Sequence, residues 1–152
     1  MRELDNPRPV ATVATIVVRD GRFLLVEETT RHGLRLNQPA GHLESGETIA
    51  AAAVRETLEE TGFKVVPTGL VGIYRWRAPD NGATFIRFAF TADVVAHDPA
   101  RALDAGIVRA LWMSYDELHA ESARHRSPLV LRCIDDYRAG RRQPLELVTE
   151  LP

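Results

Sequence analysis

At 152 residues, with 45% apolar and 26% charged side chains, the chain has the composition of an ordinary globular protein and the length of one domain with a full core. A net charge of −2 gives no broad nucleic-acid footprint, and no apolar run approaches the ~20 residues of a membrane-spanning helix. Met1-Arg2-Glu3-Leu4-Asp5 lacks the apolar core of a secretion signal, so a cytoplasmic protein with neither nucleic acid nor membrane as partner is expected, and the single Cys133, in an apolar context, reads as a buried thiol.

In chain order, residues 10 to 18 are apolar and β-branched and predict a buried strand. Asp20-Gly21 is a hairpin signal, with Phe23 to Val26 expected to return as the partner strand. A polar loop is expected from Thr29 to Asn37. Thr48 can cap a helix that Gly62, suited to a left-handed conformation, would end. Residues 64 to 66 and 69 to 77 predict strands, and Pro79-Asp80-Asn81-Gly82 predicts a turn before a strand at 84 to 95. In that strand Ile86, Phe88, Phe90 and Val94 share one face, leaving Arg87 on the other among smaller residues. Trp112-Met113 suggests a short strand, Ser114 a cap for a helix to Ala120, and Ser127-Pro128 the start of a last helix ending near Gly140. Mixed strands with two or three helices predict one α/β or α+β domain.

The helix after Thr48 carries the chemistry. Glu56, Glu59 and Glu60 stand at i, i+3 and i+4, so they project from one face with neighbouring Cβ atoms roughly 5–6 Å apart. Ala51, Val54 and Leu58 lie nearly opposite and are expected to form the core face. Three anions this close repel one another unless a cation joins them, and donors that are all oxygen favour a hard ion, Mg²⁺ with Mn²⁺ as a substitute, over zinc. Such an ion completes its shell with waters and substrate phosphates, which predicts a phosphoryl or pyrophosphate substrate. Gly41 and Gly46 allow a tight loop before the helix, and Arg55 could pair with Glu47 to orient the first acid.

Gly41, Glu47, Arg55, Glu56, Glu59, Glu60 and Gly62 stand at the spacing G-x5-E-x7-R-E-U-x-E-E-x-G-U, and the segment resembles the box of the Nudix hydrolases. Thr57 departs from it, since a bulkier aliphatic is usual there; it points coreward and bears on packing. The resemblance implies an α/β/α sandwich around a mixed sheet, with the Nudix domain at 7–135 and residues 136–152 packed as a helix end and tail on the same domain. It implies metal-assisted attack of water at phosphorus. Glu56, Glu59 and Glu60 would be metal ligands with the Ala40 backbone carbonyl, Arg55 and Glu47 would orient them, and Glu59 and Glu60 remain joint candidates for the base. Asp104, in a later loop, is a candidate further ligand. His42 reads as a solvated residue at a variable position of the box.

Val26-Glu27-Glu28, Asn37 to Glu44, Trp76 with Ala78-Pro79-Asp80, Arg126 to Val130, and Ala139-Gly140 with Pro144-Leu145 resemble the NudJ-type phosphatase subgroup. That implies release of orthophosphate from nucleoside tri- and diphosphates, thiamine pyrophosphate and hydroxymethylpyrimidine pyrophosphate, by a monomer or homodimer. Leu36 stands where the subgroup tends to carry Trp, which is expected to weaken base stacking by about 1–3 kcal/mol. Arg87, Trp76, Asn37 and Gln38 are the candidate substrate contacts, with Trp76 as the stacking ring and Arg87 reaching phosphate. Two alternatives stand beside this reading: a Nudix pyrophosphohydrolase that releases pyrophosphate from nucleoside triphosphates, and a non-catalytic ligand-sensing Nudix domain.

Overall fold

A computed structural model of the chain describes residues 8–151; the N-terminal segment Met1 to Asp5 and position 7, the expected domain start, lie outside the described residues. The elements in order are β1 (Val10–Ile16), β2 (Val18–Arg19), β3 (Arg22–Thr30), β4 (Gly33–Asn37), β5 (Ala40–His42), α1 (Ile49–Thr61), β6 (Phe63–Arg77), β7 (Thr84–His97), β8 (Ile107–Ser114), α2 (Tyr115–Ala120) and α3 (Leu129–Arg138). Single 3₁₀ turns follow at Ser122–Arg124 and Leu145–Leu147.

The strands form two four-stranded sheets. The first has the order β5-β1-β7-β6 and is mixed, with β1 parallel to β7 and the other pairs antiparallel. In the second, β3 pairs antiparallel with β2 and β4 along one edge and with β8 along the other. The fold is thus α+β around a mixed sheet, as the resemblance implied.

The expected opening hairpin is smaller than its sequence signal. Asp20 and Gly21 both take positive φ, 51° and 72°, but the turn joins only Val18–Arg19 to the start of β3. β1 instead lies between β5 and β7. Its residues Val13, Ala14, Thr15 and Ile16 are all buried, so both faces need cover, which a central strand beside a parallel partner receives. The expected polar loop from Thr29 to Asn37 is a second hairpin, with Glu28 opposite Arg35 and Thr29 opposite Leu34. Only the turn after Thr30 is polar. Leu34 and Leu36 share one face of β4, with Leu34 exposed beside the turn and Leu36 fully buried. The two strands expected at 64–66 and 69–77 are one, β6, bent by bulges around Pro67 and Gly69 and between Leu70 and Gly72. Trp112 and Met113 belong to the eight-residue strand β8.

Helices cover both faces of the mixed sheet. Ala52 and Ala53 of α1 pack on Val13, Leu70 and Phe90. Val130, Cys133 and Ile134 of α3 pack on the other face, against Ile16, Val71 and Ala89, together with Leu25 and Leu36 of the second sheet. The core face of α1 is rotated from its expected position. Ala51 is exposed and Val54 and Leu58 are only part-buried, whereas Ala52, Ala53, Thr57, Glu60 and Thr61 are buried. Small and hydroxyl-bearing residues permit that close approach. The Thr57 hydroxyl donates to the Ala53 carbonyl at 2.7 Å within α1 and meets the Thr15 hydroxyl at 2.8 Å, so the position that departs from the Nudix pattern joins α1 to β1 by a hydrogen bond. The chain after α3 returns to the same body, where Leu70 and Gln143 exchange backbone hydrogen bonds and Glu150 accepts the Ile49 N–H at 2.7 Å. No described helix is long and apolar enough to cross a membrane.

Candidate active site

α1 is held at both ends as its sequence requires. The Thr48 hydroxyl accepts the Ala51 N–H at 3.1 Å, and Gly62, at φ 76°, donates its N–H to the Leu58 carbonyl. Between them Arg55 gathers the acids. Its Nε donates to Glu47 Oε2 at 2.9 Å and its Nη2 to Glu47 Oε1 at 2.8 Å, a two-pronged bond matched to guanidinium geometry. Its Nη1 donates to Glu56 Oε1 at 2.9 Å and Glu59 Oε2 at 3.1 Å. Glu47 is fixed from its other side by the Glu44 N–H, 2.8 Å away. Hydrogen bonding to Arg55 holds the Glu47 carboxyl below its usual range, and Glu47 in turn raises the Arg55 pKa.

Glu56, Glu59 and Asp104 each place a carboxylate oxygen within 4.8 Å of the others. Asp104 arrives from the loop before β8, tied to α1 by its N–H on the Glu59 carbonyl at 3.0 Å. Burial pushes the Glu56 carboxyl up, with the Glu59 and Asp104 charges adding to it and Arg55 opposing. Three hard oxygen donors with mutual repulsion fit a divalent cation. Gly41 makes room for them, since a Cβ there would run into the Glu56 carboxylate.

Glu60 is placed differently from its neighbours and is not brought into that trio. It is buried, and its Oε1 accepts the Ala40 N–H at 2.7 Å. Burial pushes its carboxyl up to about 8, against the Ala40 hydrogen bond, with Glu56, Glu28 and Asp104 adding repulsion. The Ala40 group bonded to Glu60 is therefore the amide, and the Ala40 carbonyl keeps only its sequence-based candidacy as a ligand. The His42 side chain is exposed, while its carbonyl accepts Arg55 Nη2 at 3.0 Å.

Against Gly41, and so beside the acids, opens a cleft of about 520 Å³ whose lining includes Ala40, Gly41, Arg87, Asn37, Trp76 and Phe85. Trp76 stacks on Phe85 across the β6/β7 register, with centroids 6.0 Å apart and planes 22° from parallel. Tyr74 does not share that cleft; its hydroxyl donates to Asp136 at 2.8 Å beneath α3. Arg87 is buried, with Nη1 donating to Gln38 Oε1 at 2.8 Å and Nη2 to Asn37 Oδ1 at 3.1 Å. One expected contact and the expected effect of Leu36 need correction. Gln38 has no exposed surface and does not line the cleft; its amide nitrogen donates to the Val130 carbonyl at 2.7 Å, so it stands behind Arg87 and not before a substrate. Leu36 also faces the core, because β4 alternates, and the absence of an aromatic ring there removes nothing from the cleft. Phe85, Glu28 and Arg35 line the cleft without having been singled out as contacts in the sequence. Phe85 sits at a register position opposite Trp76 that only strand pairing reveals, and Arg35 lay in the stretch read as loop.

The NUDIX domain family model matches residues 7–133. The chain belongs to the Nudix family. It is similar to the phosphatase NudJ of Escherichia coli strain K12, 40% identical over 141 residues that cover 93% of this chain and 91% of that protein. Among solved structures it is similar to a Nudix hydrolase from Nitrosomonas europaea, with 52% identity, a TM-score of 0.93, and coverage of 95% of this chain and 98% of the other. A MutT Nudix hydrolase from Burkholderia pseudomallei, 19% identical with a TM-score of 0.72 over 85% of this chain and 98% of its own, shares the fold. This Nudix protein is a hydrolase of phosphoanhydride substrates, which sets aside the non-catalytic sensing alternative. Nudix hydrolases generally use a divalent metal, and the Glu56, Glu59 and Asp104 trio offers it a set of ligands.

Proposed function

We propose that this Nudix hydrolase is a Mg²⁺-dependent phosphatase, with Mn²⁺ as a substitute, that removes orthophosphate from small pyrophosphates in the cytoplasm. The substrate class is nucleoside tri- and diphosphates, thiamine pyrophosphate and hydroxymethylpyrimidine pyrophosphate. The observation that carries the reading is a cleft lined by a buried arginine and a stacked aromatic pair, whose lining residue Gly41 lies directly against Glu56 of the hard-oxygen cluster. Similarity to phosphatase NudJ across 93% of the chain supports orthophosphate as the product.

Glu56, Glu59 and Asp104 would hold the ion, with Glu60 and the Ala40 carbonyl as further donors. When bound, the ion supplies charge neutralisation at the phosphoryl group and makes water more acidic. The remaining steps belong to side chains. Arg55 and Glu47 keep the Glu56 and Glu59 carboxylates in fixed orientation, so that little reorganisation is needed as charge develops. Glu59, on the open side beside Arg55, and Glu60, buried behind it, are the candidates to take the proton of the attacking water. Arg87, steadied by Asn37 and Gln38, meets a phosphate oxygen, and Trp76 on Phe85 offers a flat face to a base or pyrimidine ring. The enzyme works as a monomer or homodimer.

The test is a substrate panel with Mg²⁺ and identified products, covering nucleotides, thiamine pyrophosphate, nucleotide sugars and dinucleoside polyphosphates. Orthophosphate is expected without added pyrophosphatase. Pyrophosphate as the sole inorganic product overturns the reading in favour of a nucleoside triphosphate pyrophosphohydrolase.

A further inference from the structure

Arg87 is 5% exposed on β7, a strand enclosed by β1 and β6, and the described residues place no carboxylate within ion-pair distance of it. Other buried charges are treated differently. Glu27 has Arg109 and Arg124, and Asp136 has Arg132 and Arg141. The guanidinium of Arg87 donates to two amide oxygens, those of Asn37 and Gln38, and borders the buried Cys133 thiol, whose pKa burial pushes up, while its Nε–H has no hydrogen-bond partner. Gln38 cannot turn away, because it has no exposed surface and its own nitrogen is bonded to the Val130 carbonyl of α3. A desolvated cation without a counter-charge is costly, and neutral acceptors offset only part of that cost. The cleft gives a counter-charge a route to Arg87. Arg87 and Asn37 line the same cleft as Ala40 and Gly41, and Gly41 lies against the Glu56 carboxylate.

We propose that Asn37 and Gln38 form a neutral amide cage that orients Arg87 while leaving its charge uncompensated, so that an anionic phosphate oxygen of the substrate becomes the guanidinium's counter-ion. The inference rests on the pyrophosphate reading above and places a specific requirement on residue 37, which must accept a hydrogen bond without supplying a charge. An Asp there would keep the acceptor in place and supply the negative charge from within. Stability and substrate affinity then move in opposite directions, which a purely structural role for Asn37 does not produce.

The probe is inorganic pyrophosphate with the metal chelated by EDTA, read as a shift in Tm, together with steady-state kinetics in Mg²⁺. The wild-type Tm rises with pyrophosphate. Asn37→Asp starts at an equal or higher Tm, loses the pyrophosphate-dependent rise, and increases KM by about tenfold while kcat changes less than about threefold. Asn37→Ala, which leaves the Arg87 charge free, keeps the rise. In an Arg87→Met background, Asn37→Asp changes KM by less than about twofold, because its effect runs through the guanidinium. The proposal is overturned if Asn37→Asp keeps the pyrophosphate response, if it lowers the starting Tm, or if it raises KM equally in the Arg87→Met background, the mark of plain repulsion. The product panel tests the phosphatase reading and the metal-free shift tests the cage, so either can fail alone.

Discussion

Arg55 and Arg87 are both largely withdrawn from water, and the protein uses their charges in opposite ways. Arg55 donates to Glu47, Glu56 and Glu59 at 2.8 to 3.1 Å, so its charge is consumed in orienting carboxylates. Arg87, buried more deeply, meets two amides and no acid. The first region therefore carries more anion than its arginine can neutralise, which suits a cation. The second carries cation with nothing to neutralise it, which suits an anion. In the proposed reading a metal and a phosphate complete the two halves, and the cleft that Arg87 lines reaches the acids at Gly41, which lies against Glu56.

The largest effect is expected from breaking the anionic half. Glu56→Gln removes one charge from the trio and keeps the acceptor to Arg55, so kcat in Mg²⁺ should fall by about 10²–10³-fold. The metal-free Tm should hold or rise, since like-charge repulsion is relieved. A melting curve in EDTA beside the rate assay separates the two, and a loss of Tm matching the loss of rate would mean that Glu56 serves the fold. Gly41→Ala tests the same half by shape alone. Its Cβ would run into the Glu56 carboxylate, and a displaced ligand should cost about 10–100-fold in activity or in metal affinity, measured by Mg²⁺ titration, with no change of charge. Unchanged titration and rate would show that the carboxylate has room to move.

How much of this contrast could be read in the sequence follows from where the residues lie along the chain. The anionic half is nearly contiguous: Glu47, Arg55, Glu56 and Glu59 sit within a loop and one helix, and helical periodicity alone aligns the acids. Asp104 could be named only as an acid in a later loop, and its meeting with Glu59 depends on the path from β7 to β8. Glu60 shows the limit. Its spacing placed it with the other acids, but α1 docks on the sheet through Ala52, Ala53 and Thr57, and that rotation turns Glu60 inward to the Ala40 amide. The cationic half is assembled from β4, the Gln38 turn, β7 and α3. Arg87 could be picked out because strand alternation set it among small residues. Its cage could not, because the burial of Gln38 depends on where α3 packs. The parallel pairing of β1 with β7 joins residues 75 apart, as Val10 with Phe85, and leaves no local mark, so the adjacent Asp20-Gly21 turn suggested a partner that β1 does not have.

The cationic half is sharpened by Gln38→Leu. Leucine fills similar space but removes the second bond to the Val130 carbonyl and leaves one Arg87 donor without its partner, the latter worth about 1–3 kcal/mol when buried. A lower Tm is expected, together with a raised KM and a nearly constant kcat, because Arg87 loses its orientation while the acids are untouched. A fall in Tm with KM unchanged would confine Gln38 to packing and leave Asn37 alone to orient the guanidinium.

The smallest effect is expected at a charge that is already paired. Glu27, opposite Leu36 and Arg109 on β3, is buried and accepts from Arg124 at 3.0 Å and Arg109 at 3.3 Å. The Arg124 hydrogen bond holds its carboxyl below the usual range against the effect of burial, with Arg109 adding to the lowering. A carboxyl whose folded pKa lies below its unfolded value stabilises the protein above the unfolded value, roughly 4.3, and that stability is lost as pH falls through the folded pKa. Glu27→Gln should therefore cost about 1–3 kcal/mol near neutral pH. The Tm difference from wild type should hold above the ordinary carboxylate range and close as pH falls through the lowered pKa of the native carboxyl. Activity should follow only the folded fraction, since Glu27 is absent from the cleft lining. A Tm difference that persisted unchanged at low pH would attribute the effect of Glu27 to shape and not to its charge. Paired Glu27 would then no longer serve as the reference against which the unpaired Arg87 is judged.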